Sequence, residues 1–173
     1  MNKIQSTLPD AEKIFTELEK KLQPDIKENV ALVGVRTGGM WLAERLHHNL
    51  GLTLPLGMLD ISFYRDDFDK IGLHPDVKPS EIPFDVTDSH IILVDDVLYT
   101  GRTIRAAMNE LFDYGRPASI RLAILVDRGG RELPIAAQYV GATLDLTSDK
   151  SLRLQQAADG KLSLSLFDKH CPE

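Results

Sequence analysis

Apolar and polar positions recur along the chain with the periods of helices and strands. Between residues 10 and 22, Ile14, Leu18 and Leu22 are spaced four apart with charged residues between them, which predicts an amphipathic helix. Residues 30–35 are a continuous apolar run, as in strands that are covered on both faces, and residues 90–94, with four apolar residues after His90, predict another buried strand. The pattern predicts further helices at 40–50 and 103–114, and further strands at 55–63, 120–126 and 162–166.

The order of these elements predicts the class of fold. Strands and helices alternate from residue 30 to residue 126, which favours an α/β fold with a mostly parallel sheet. Right-handed crossovers would put the turns at 36–39 and 95–103 on the same edge of that sheet, where ligands of open α/β sheets bind. The composition of residues 64–88 predicts a long functional loop. The composition of residues 127–151 predicts an irregular appendage with short strands.

Composition narrows the class of protein. The chain has 173 residues, 43% hydrophobic and 27% charged, so residues 1–173 are expected to form one domain. No apolar run approaches the roughly 20 residues that span a bilayer, and residues 1–6 lack the apolar stretch of a signal peptide. The only cysteine, Cys171, excludes a disulfide within the chain, which fits a cytoplasmic location. The net charge of -6 disfavours broad, nonspecific binding to nucleic acid.

The strongest chemical signal follows the apolar run at 90–94. Asp95 and Asp96 come first, and adjacent carboxylates at a strand end can accept hydrogen bonds from the vicinal hydroxyls of a ribose. The loop Thr100-Gly101-Arg102-Thr103 then opens a helix, where free N–H groups and the helix dipole favour a phosphate. Each feature taken singly also fits an ordinary strand end with a threonine cap. Together they predict a site for a ribose 5-phosphate.

The run from Ile92 to Thr103 resembles the signature of the type I phosphoribosyltransferases. It most closely resembles the PyrR family of pyrimidine-operon attenuators and uracil phosphoribosyltransferases. Residues 60–67, residues 126–135 and Tyr139-Val140-Gly141 resemble segments of that family in the same order, so the resemblance runs from about Val30 to Gly141. It implies the type I phosphoribosyltransferase fold, with a mostly parallel central sheet flanked by helices and a small hood formed mainly by residues 127–173.

The resemblance also implies an activity and its residues. Uracil would react with 5-phosphoribosyl 1-pyrophosphate (PRPP) to give UMP and pyrophosphate, with Mg²⁺ bound to PRPP and no dedicated metal site in the protein. The implied catalytic residues are Arg36, Arg65, Asp95 and Asp96. The implied PRPP-binding residues are Thr37, Gly38, Gly39, Asp95, Asp96, Val97, Leu98, Tyr99, Thr100, Gly101, Arg102 and Thr103. The implied base-binding residues are Asp127 and Arg128.

Three further expectations rest on the resemblance. A flexible loop at 64–80, which carries Arg65, would close over the reaction and exclude water. Tyr99 stands where purine-specific members carry an acid, which favours a pyrimidine, although another base such as a purine or orotate is an alternative. Family members commonly form dimers or larger assemblies, so a homo-oligomer is expected.

Several positions depart from the family pattern. Gly38 stands in place of an arginine, Gly130 in place of a histidine, and residues 136–138 lack the basic residue that often precedes Tyr-Val-Gly. The first helix holds three glutamates and three lysines where attenuators are often arginine-rich. Loss of cationic groups should weaken binding of an RNA hairpin by orders of magnitude. The transferase is therefore the main hypothesis, and a nucleotide-responsive RNA attenuator with weak or no transferase activity is the alternative.

Overall fold

A computed structural model of the protein describes residues 8–62 and 79–169. Five parallel strands form a central sheet in the order β2-β1-β3-β4-β5, and two antiparallel strands form a separate hairpin. The helices are α1 (Ala11–Leu22), α2 (Gly38–Leu50) and α3 (Arg102–Tyr114). The strands are β1 (Val30–Val35), β2 (Gly57–Leu59), β3 (His90–Leu98), β4 (Ser119–Asp127), β5 (Tyr139–Thr143), β6 (Lys150–Gln156) and β7 (Leu162–Asp168).

The apolar runs form central strands because both faces of the sheet are covered. In β1, Leu32 packs into a cluster with α1 and α2, whereas Val33 packs into a second cluster with α3. In β3, Ile92 and Leu93 divide in the same way between the two clusters. Successive side chains of a strand point to opposite faces, so a strand buried on both faces must be apolar at every position. The predicted α/β fold with a mostly parallel sheet is confirmed.

The ends of the helices follow their capping residues. The Asp10 side chain accepts hydrogen bonds from the N–H groups of Glu12 (2.9 Å) and Lys13 (3.4 Å) and so caps the start of α1. Gly51 ends α2 with a left-handed φ of 62°, which glycine adopts without steric cost. None of the helices in the described parts of the chain is long and apolar enough to cross a membrane.

Three predicted boundaries differ from the structure. The strand predicted at 55–63 is confined to β2, at 57–59, whereas β3 extends past the apolar run to Leu98 and so includes both aspartates. The segment 127–151 contains a short strand, as predicted, but that strand, Tyr139–Thr143, joins the central sheet as its fifth parallel strand beside β4 instead of forming part of an appendage. Pairing with a neighbouring strand fixed these boundaries, and hydropathy within a short window does not report such pairing.

Candidate active site

The carboxyl edge of the sheet brings together the two turns that the sequence analysis identified. Strands β1 and β3 are neighbours with Gly34 opposite Val94, so the turn after β1 lies beside the acidic pair of β3. A Cβ atom added to Gly38 would lie 2.7 Å from Cγ of Asp96, and one added to Gly39 would lie 2.5 Å from the carbonyl oxygen of Val94. Helix α2 can begin against the acidic pair because these two residues lack side chains.

The two aspartates are held by local hydrogen bonds but differ in burial. Asp95 is 3% exposed, and its Oδ1 accepts a hydrogen bond from the N–H of Asp96 at 2.9 Å. Asp96 is half-buried, and its Oδ1 accepts one from the N–H of Val97 at 2.9 Å. A carboxylate offers about four lone-pair sites, so Asp96 can accept further hydrogen bonds from a ligand at the sheet edge.

The predicted phosphate loop turns sharply from β3 into α3. Gly101 has a φ of 92°, a conformation that favours glycine, and directly precedes the helix. The N–H of Arg102 donates to Oγ1 of the buried Thr100 at 3.3 Å, and Thr103 is half-buried in the first turn. The first N–H groups of a helix have no partner within the helix and attract anions. The loop can therefore bind a phosphate at the sheet edge beside Asp96.

The turn after β1 is attached to β2 on its other side. The N–H of Arg36 donates to the carbonyl of Leu59 at 2.9 Å, and Nη1 of Arg36 lies 3.6 Å from Sδ of Met58. Thr37 is exposed, and the peptide bond between Arg36 and Thr37 is cis. The turn therefore lies between β2 and the acidic pair, with one guanidinium group at the sheet edge.

The end of β4 carries the predicted base-binding pair, and its aspartate is held by the turn that follows. Oδ1 of Asp127 accepts a hydrogen bond from the N–H of Gly129 at 3.0 Å. Oδ2 of Asp127 accepts one from Nη2 of Arg131 at 2.6 Å. Leu98 lies opposite Asp127 in the sheet register, so this carboxylate is next to the phosphate loop.

Arg128 links the hairpin to the aromatic ring of the phosphate loop. It is 3% exposed, and its Nη1 and Nη2 donate to the carbonyls of Lys150 (2.8 Å) and Thr147 (2.9 Å). Its Cζ lies 4.1 Å from the centre of the Tyr99 ring, and Nζ of Lys169 lies 4.6 Å from the same centre. Such contacts between a cation and an aromatic ring are attractive, so the hairpin and its end hold Tyr99 in place.

The structure adds residues that the sequence analysis did not assign to the site. Arg131 and Lys169 contact the phosphate loop, and Asp60 is buried at the end of β2, where its carboxylate accepts from the N–H and hydroxyl of Ser62. An arginine four residues after Asp127 in a glycine-rich turn could have suggested an ion pair, whereas Lys169 carries no such signal. The candidate Arg65 and residues 64–78 of its loop lie outside the described residues.

Comparison with known proteins identifies the family. The phosphoribosyl transferase domain family matches residues 5–151. A bifunctional protein PyrR from Nitrosococcus oceani is 52% identical over 90% of this chain and 89% of its own length. The chain belongs to the PyrR family of phosphoribosyltransferases. A bifunctional protein PyrR from Pseudomonas fluorescens is 47% identical over 91% of this chain and 96% of its own length.

Solved structures agree with the fold. The crystal structure of a hypoxanthine-guanine phosphoribosyltransferase from Bacillus anthracis superposes with a TM-score of 0.66, covering 83% of this chain and 86% of that one. Its sequence is 19% identical, so the similarity concerns the fold alone. The resemblance of the chain to the PyrR family and to the phosphoribosyltransferases is confirmed by the family match and by these relatives.

Proposed function

We propose that the protein is a uracil phosphoribosyltransferase that makes UMP and pyrophosphate from uracil and PRPP. One observation carries the proposal: two aspartates at the end of β3 lead directly into a loop that opens α3 and contacts the end of β4. Carboxylates that accept from ribose hydroxyls, next to helix N–H groups that bind a phosphate, match the two polar ends of a ribose 5-phosphate. The family of the chain supports the same reaction class.

The reaction exchanges two bonds at the anomeric carbon of the ribose. N1 of uracil forms a bond to C1 as the bond from C1 to the pyrophosphate oxygen breaks, and the N1 proton is released. Positive charge develops on the sugar and negative charge on the leaving group. Asp95 and Asp96 would hold the ribose hydroxyls, and the loop from Val97 to Thr103 would hold the 5-phosphate.

The turn after β1 is suited to the leaving group. Arg36 supplies a cation, and the first N–H groups of α2 begin at Gly38 and Gly39, within reach of the acidic pair. Fixed donors of this kind stabilise charge that develops on pyrophosphate in the transition state. Arg65, outside the described residues, would add a second cation from the closing loop.

The acidic pair also fits Mg²⁺. This ion prefers oxygen ligands, keeps several waters and is usually held by one or two carboxylates together with substrate phosphates. Asp96, half-buried at the sheet edge, offers such a ligand, and the described residues contain no group of three His, Cys, Asp or Glu side chains that could form a separate metal site. When bound with PRPP, Mg²⁺ neutralises charge on the departing pyrophosphate.

The choice of uracil rests on the end of β4 and on Tyr99. Asp127 lies next to the phosphate loop, where a base attached to the same ribose would lie. Nη1 and Nη2 of Arg128 donate to the carbonyls of Lys150 and Thr147, whereas its buried Nε has no hydrogen-bond partner among the described residues. The proposed part of Arg128 in base binding is to hold the Tyr99 ring, which we place at the border of the site. Tyr99 supplies no carboxylate for a purine N7, which supports a pyrimidine.

A base panel with one phosphoribosyl donor tests the proposal. Incubation with PRPP, Mg²⁺ and each of uracil, hypoxanthine, guanine and orotate should give product with uracil alone. The double variant Asp95→Asn/Asp96→Asn should lose turnover but keep the native circular dichroism spectrum. The control Asp113→Asn, which changes an exposed residue of α3, should keep the turnover of the wild type. Turnover with another base instead of uracil would refute the substrate, and full activity of the double variant would refute the ribose assignment.

A second activity is supported by the names of relatives. The proteins from Nitrosococcus oceani and Pseudomonas fluorescens are each called bifunctional, and they align over most of this chain. The alternative function is a nucleotide-responsive RNA-binding attenuator of pyrimidine genes with weak or no transferase activity. A gel shift with a pyrimidine-operon leader tests it: binding that requires UMP and weakens with salt would support it, and no binding at low salt would reject it.

The proposal includes a cytoplasmic location and a homo-oligomeric state. Phe112 and Tyr114 of α3 are exposed by 57% and 44%, and large apolar side chains of this kind commonly lie in subunit interfaces. Sedimentation velocity of the wild type and of a Phe112→Ser variant tests the oligomer. A wild type that sediments as a monomer would refute it.

A further inference from the structure

Residues 128–135 form a bracket against the outer side of the phosphate loop. The carbonyl of Leu98 accepts a hydrogen bond from the N–H of Arg128 at 3.0 Å, and the carbonyl of Thr100 accepts from the N–H groups of Glu132 (2.9 Å) and Leu133 (3.1 Å). Between them, the carbonyl of Tyr99 accepts from Nη1 of Arg131 at 2.6 Å. Three consecutive carbonyls of the loop are thus bound by one segment.

These bonds determine where the N–H groups of the loop point. The peptide bonds that follow Leu98, Tyr99 and Thr100 are trans, and a trans peptide directs its C=O and the next residue's N–H in opposite directions. Carbonyls held by the bracket therefore direct the N–H groups of the following residues away from it. A phosphate-binding loop needs this arrangement, with donors directed at the anion and carbonyls directed elsewhere.

Two side chains of the bracket bind the loop: Glu132 pairs with the side chain of Arg102, and Arg131 binds a backbone carbonyl. The bonds to Leu98 and Thr100 come from backbone N–H groups, which substitution of a side chain does not remove, whereas the bond to Tyr99 comes from a guanidinium group. The same guanidinium binds Oδ2 of Asp127 at 2.6 Å and is half-buried. The planar fork of arginine can make both bonds at once, which the single ammonium of lysine does less well.

We propose that Arg131 is a positioning residue, which aims the N–H of Thr100 at the 5-phosphate of the ribose and keeps Asp127 beside the loop. The proposal rests on the proposed function for the identity of the ligand. Arg131 itself would touch neither phosphate nor base. Its loss should therefore weaken binding of the 5-phosphate and leave the pyrophosphate side of the site unchanged, because that side is formed by the turn after β1.

Two separate ligands distinguish this role from a general effect on folding. Affinities for ribose 5-phosphate and for pyrophosphate with Mg²⁺ are measured by calorimetry in the wild type, Arg131→Gln, Arg131→Lys and the control Arg116→Gln. Arg116 is exposed and lies after α3, so its removal subtracts the same charge far from the loop. Arg131→Gln should bind ribose 5-phosphate about tenfold more weakly, Arg131→Lys should fall between, and the control should match the wild type. Affinity for pyrophosphate should be the same in all four proteins.

The contrary results are equally definite. Unchanged affinity of Arg131→Gln for ribose 5-phosphate would overturn the proposal, and so would an equal loss of affinity for both ligands. If Arg131→Gln does not fold, Arg131→Lys decides by the same two affinities. A wild type that binds ribose 5-phosphate but does not use uracil would refute the proposed function and leave the role of Arg131 to be judged by these affinities.

Discussion

Gly38 and Gly39 both begin α2, but a methyl group would meet different obstacles at the two positions. At Gly38 the obstacle is the carboxylate of Asp96, which can turn away, whereas at Gly39 it is the carbonyl oxygen of Val94 at 2.5 Å, which belongs to the backbone of β3. Gly38→Ala should therefore raise KM for PRPP about tenfold with little loss of stability, because it displaces the carboxylate that we propose to bind the ribose. Gly39→Ala should lower the free energy of unfolding by about 1–3 kcal/mol, because helix and strand must separate.

Urea denaturation and steady-state kinetics on the two variants measure both effects. Each variant is the control for the other, since they make the same chemical change at adjacent positions. Equal losses of stability would contradict the contrast. Gly38→Ala should keep the stability of the wild type more nearly than Gly39→Ala does, because a side chain gives way more easily than the backbone of β3.

Gly129 and Gly130, in the turn after β4, form another matched pair. Gly129 and Gly130 have φ values of 70° and 74°, so alanine is strained at either position. A Cβ atom at Gly130 would lie 2.8 Å from Cδ2 of Tyr99, whereas at Gly129 it would meet open space. Gly130→Ala should therefore lower the free energy of unfolding by about 1–3 kcal/mol more than Gly129→Ala does.

A double-mutant cycle with Tyr99→Ala attributes that difference to the ring. Without the Tyr99 ring, the two alanine variants should have the same free energy of unfolding in urea. A difference that persists without the ring would show that strain at residue 130 has another origin.

At the scale of elements, Glu12 joins α1 to α2 and to the hairpin. Its carboxylate accepts from Nη1 (3.0 Å) and Nη2 (2.7 Å) of Arg45 in α2, and from the N–H of Leu162 in β7 at 2.7 Å. The hydrogen bond with Arg45 is the main reason that the pKa of Glu12 is lowered from its usual 4.5. Glu12→Gln should lower the free energy of unfolding at neutral pH by about 1–2 kcal/mol, a figure kept small because solvent partly screens the pair.

The pH dependence of this effect has a definite sign. A carboxylate whose pKa is lower in the folded chain stabilises the fold above pH 4.5, and this stabilisation is lost as the pH falls through the lower folded value. The difference in the free energy of unfolding between wild type and Glu12→Gln, measured by urea denaturation, should therefore shrink below pH 4.5. Glu17→Gln is the control, because the ion pair of Glu17 with Lys20 is exposed and should contribute little to the free energy of unfolding. The role of Glu12 would be contradicted if both variants lost the same free energy of unfolding. It would also be contradicted if the difference between wild type and Glu12→Gln did not depend on pH.

Elements that depend on local signals could be predicted from the sequence. Helix α1 was predictable because its apolar spacing and the Asp10 cap lie within a few residues, and β1 because it is apolar throughout. Strand β5 was not, because Tyr139–Thr143 is only partly buried and its strand conformation depends on pairing with β4. The extent of β3 past Val94 likewise depends on pairing with β4, which no run of apolar residues records.

The residues of the candidate site likewise differ in how far they could be predicted, because some interact with sequence neighbours and others with residues far along the chain. Asp95, Asp96 and the loop to Thr103 are contiguous, so their chemistry could be recognised from spacing alone, and their ligand roles stay predictions. The contact between Gly38 and Asp96 joins residues far apart in sequence, and so does that between Lys169 and the Tyr99 ring. The closeness of Gly38 to Asp96 therefore depends on the pairing of β1 with β3, which no local sequence pattern records.

At the scale of the whole molecule, one apolar cluster crosses the boundaries between elements. It contains Phe15 of α1, Leu46 of α2, Val94 of β3, and Leu152 and Leu162 of the hairpin. A second cluster covers the other face of the same strands, so β1 and β3 contribute to both. Because neither the hairpin nor a helix has a separate core, the chain should unfold in a single cooperative transition.

Ligand binding at the sheet edge should raise the temperature of that single transition. PRPP with Mg²⁺ at a hundred times its Kd would stabilise the folded chain by about 2.7 kcal/mol, which for a domain of this size raises Tm by roughly 5–10 °C. Scanning calorimetry of the wild type should show one peak that moves as a whole, because β1 and β3, whose carboxyl ends form the site, contribute to both clusters. The double variant Asp95→Asn/Asp96→Asn should still show a single unfolding peak, but PRPP with Mg²⁺ should no longer raise its Tm. Two peaks would contradict a single cooperative unit, and an undiminished shift in the double variant would mean that PRPP binds elsewhere.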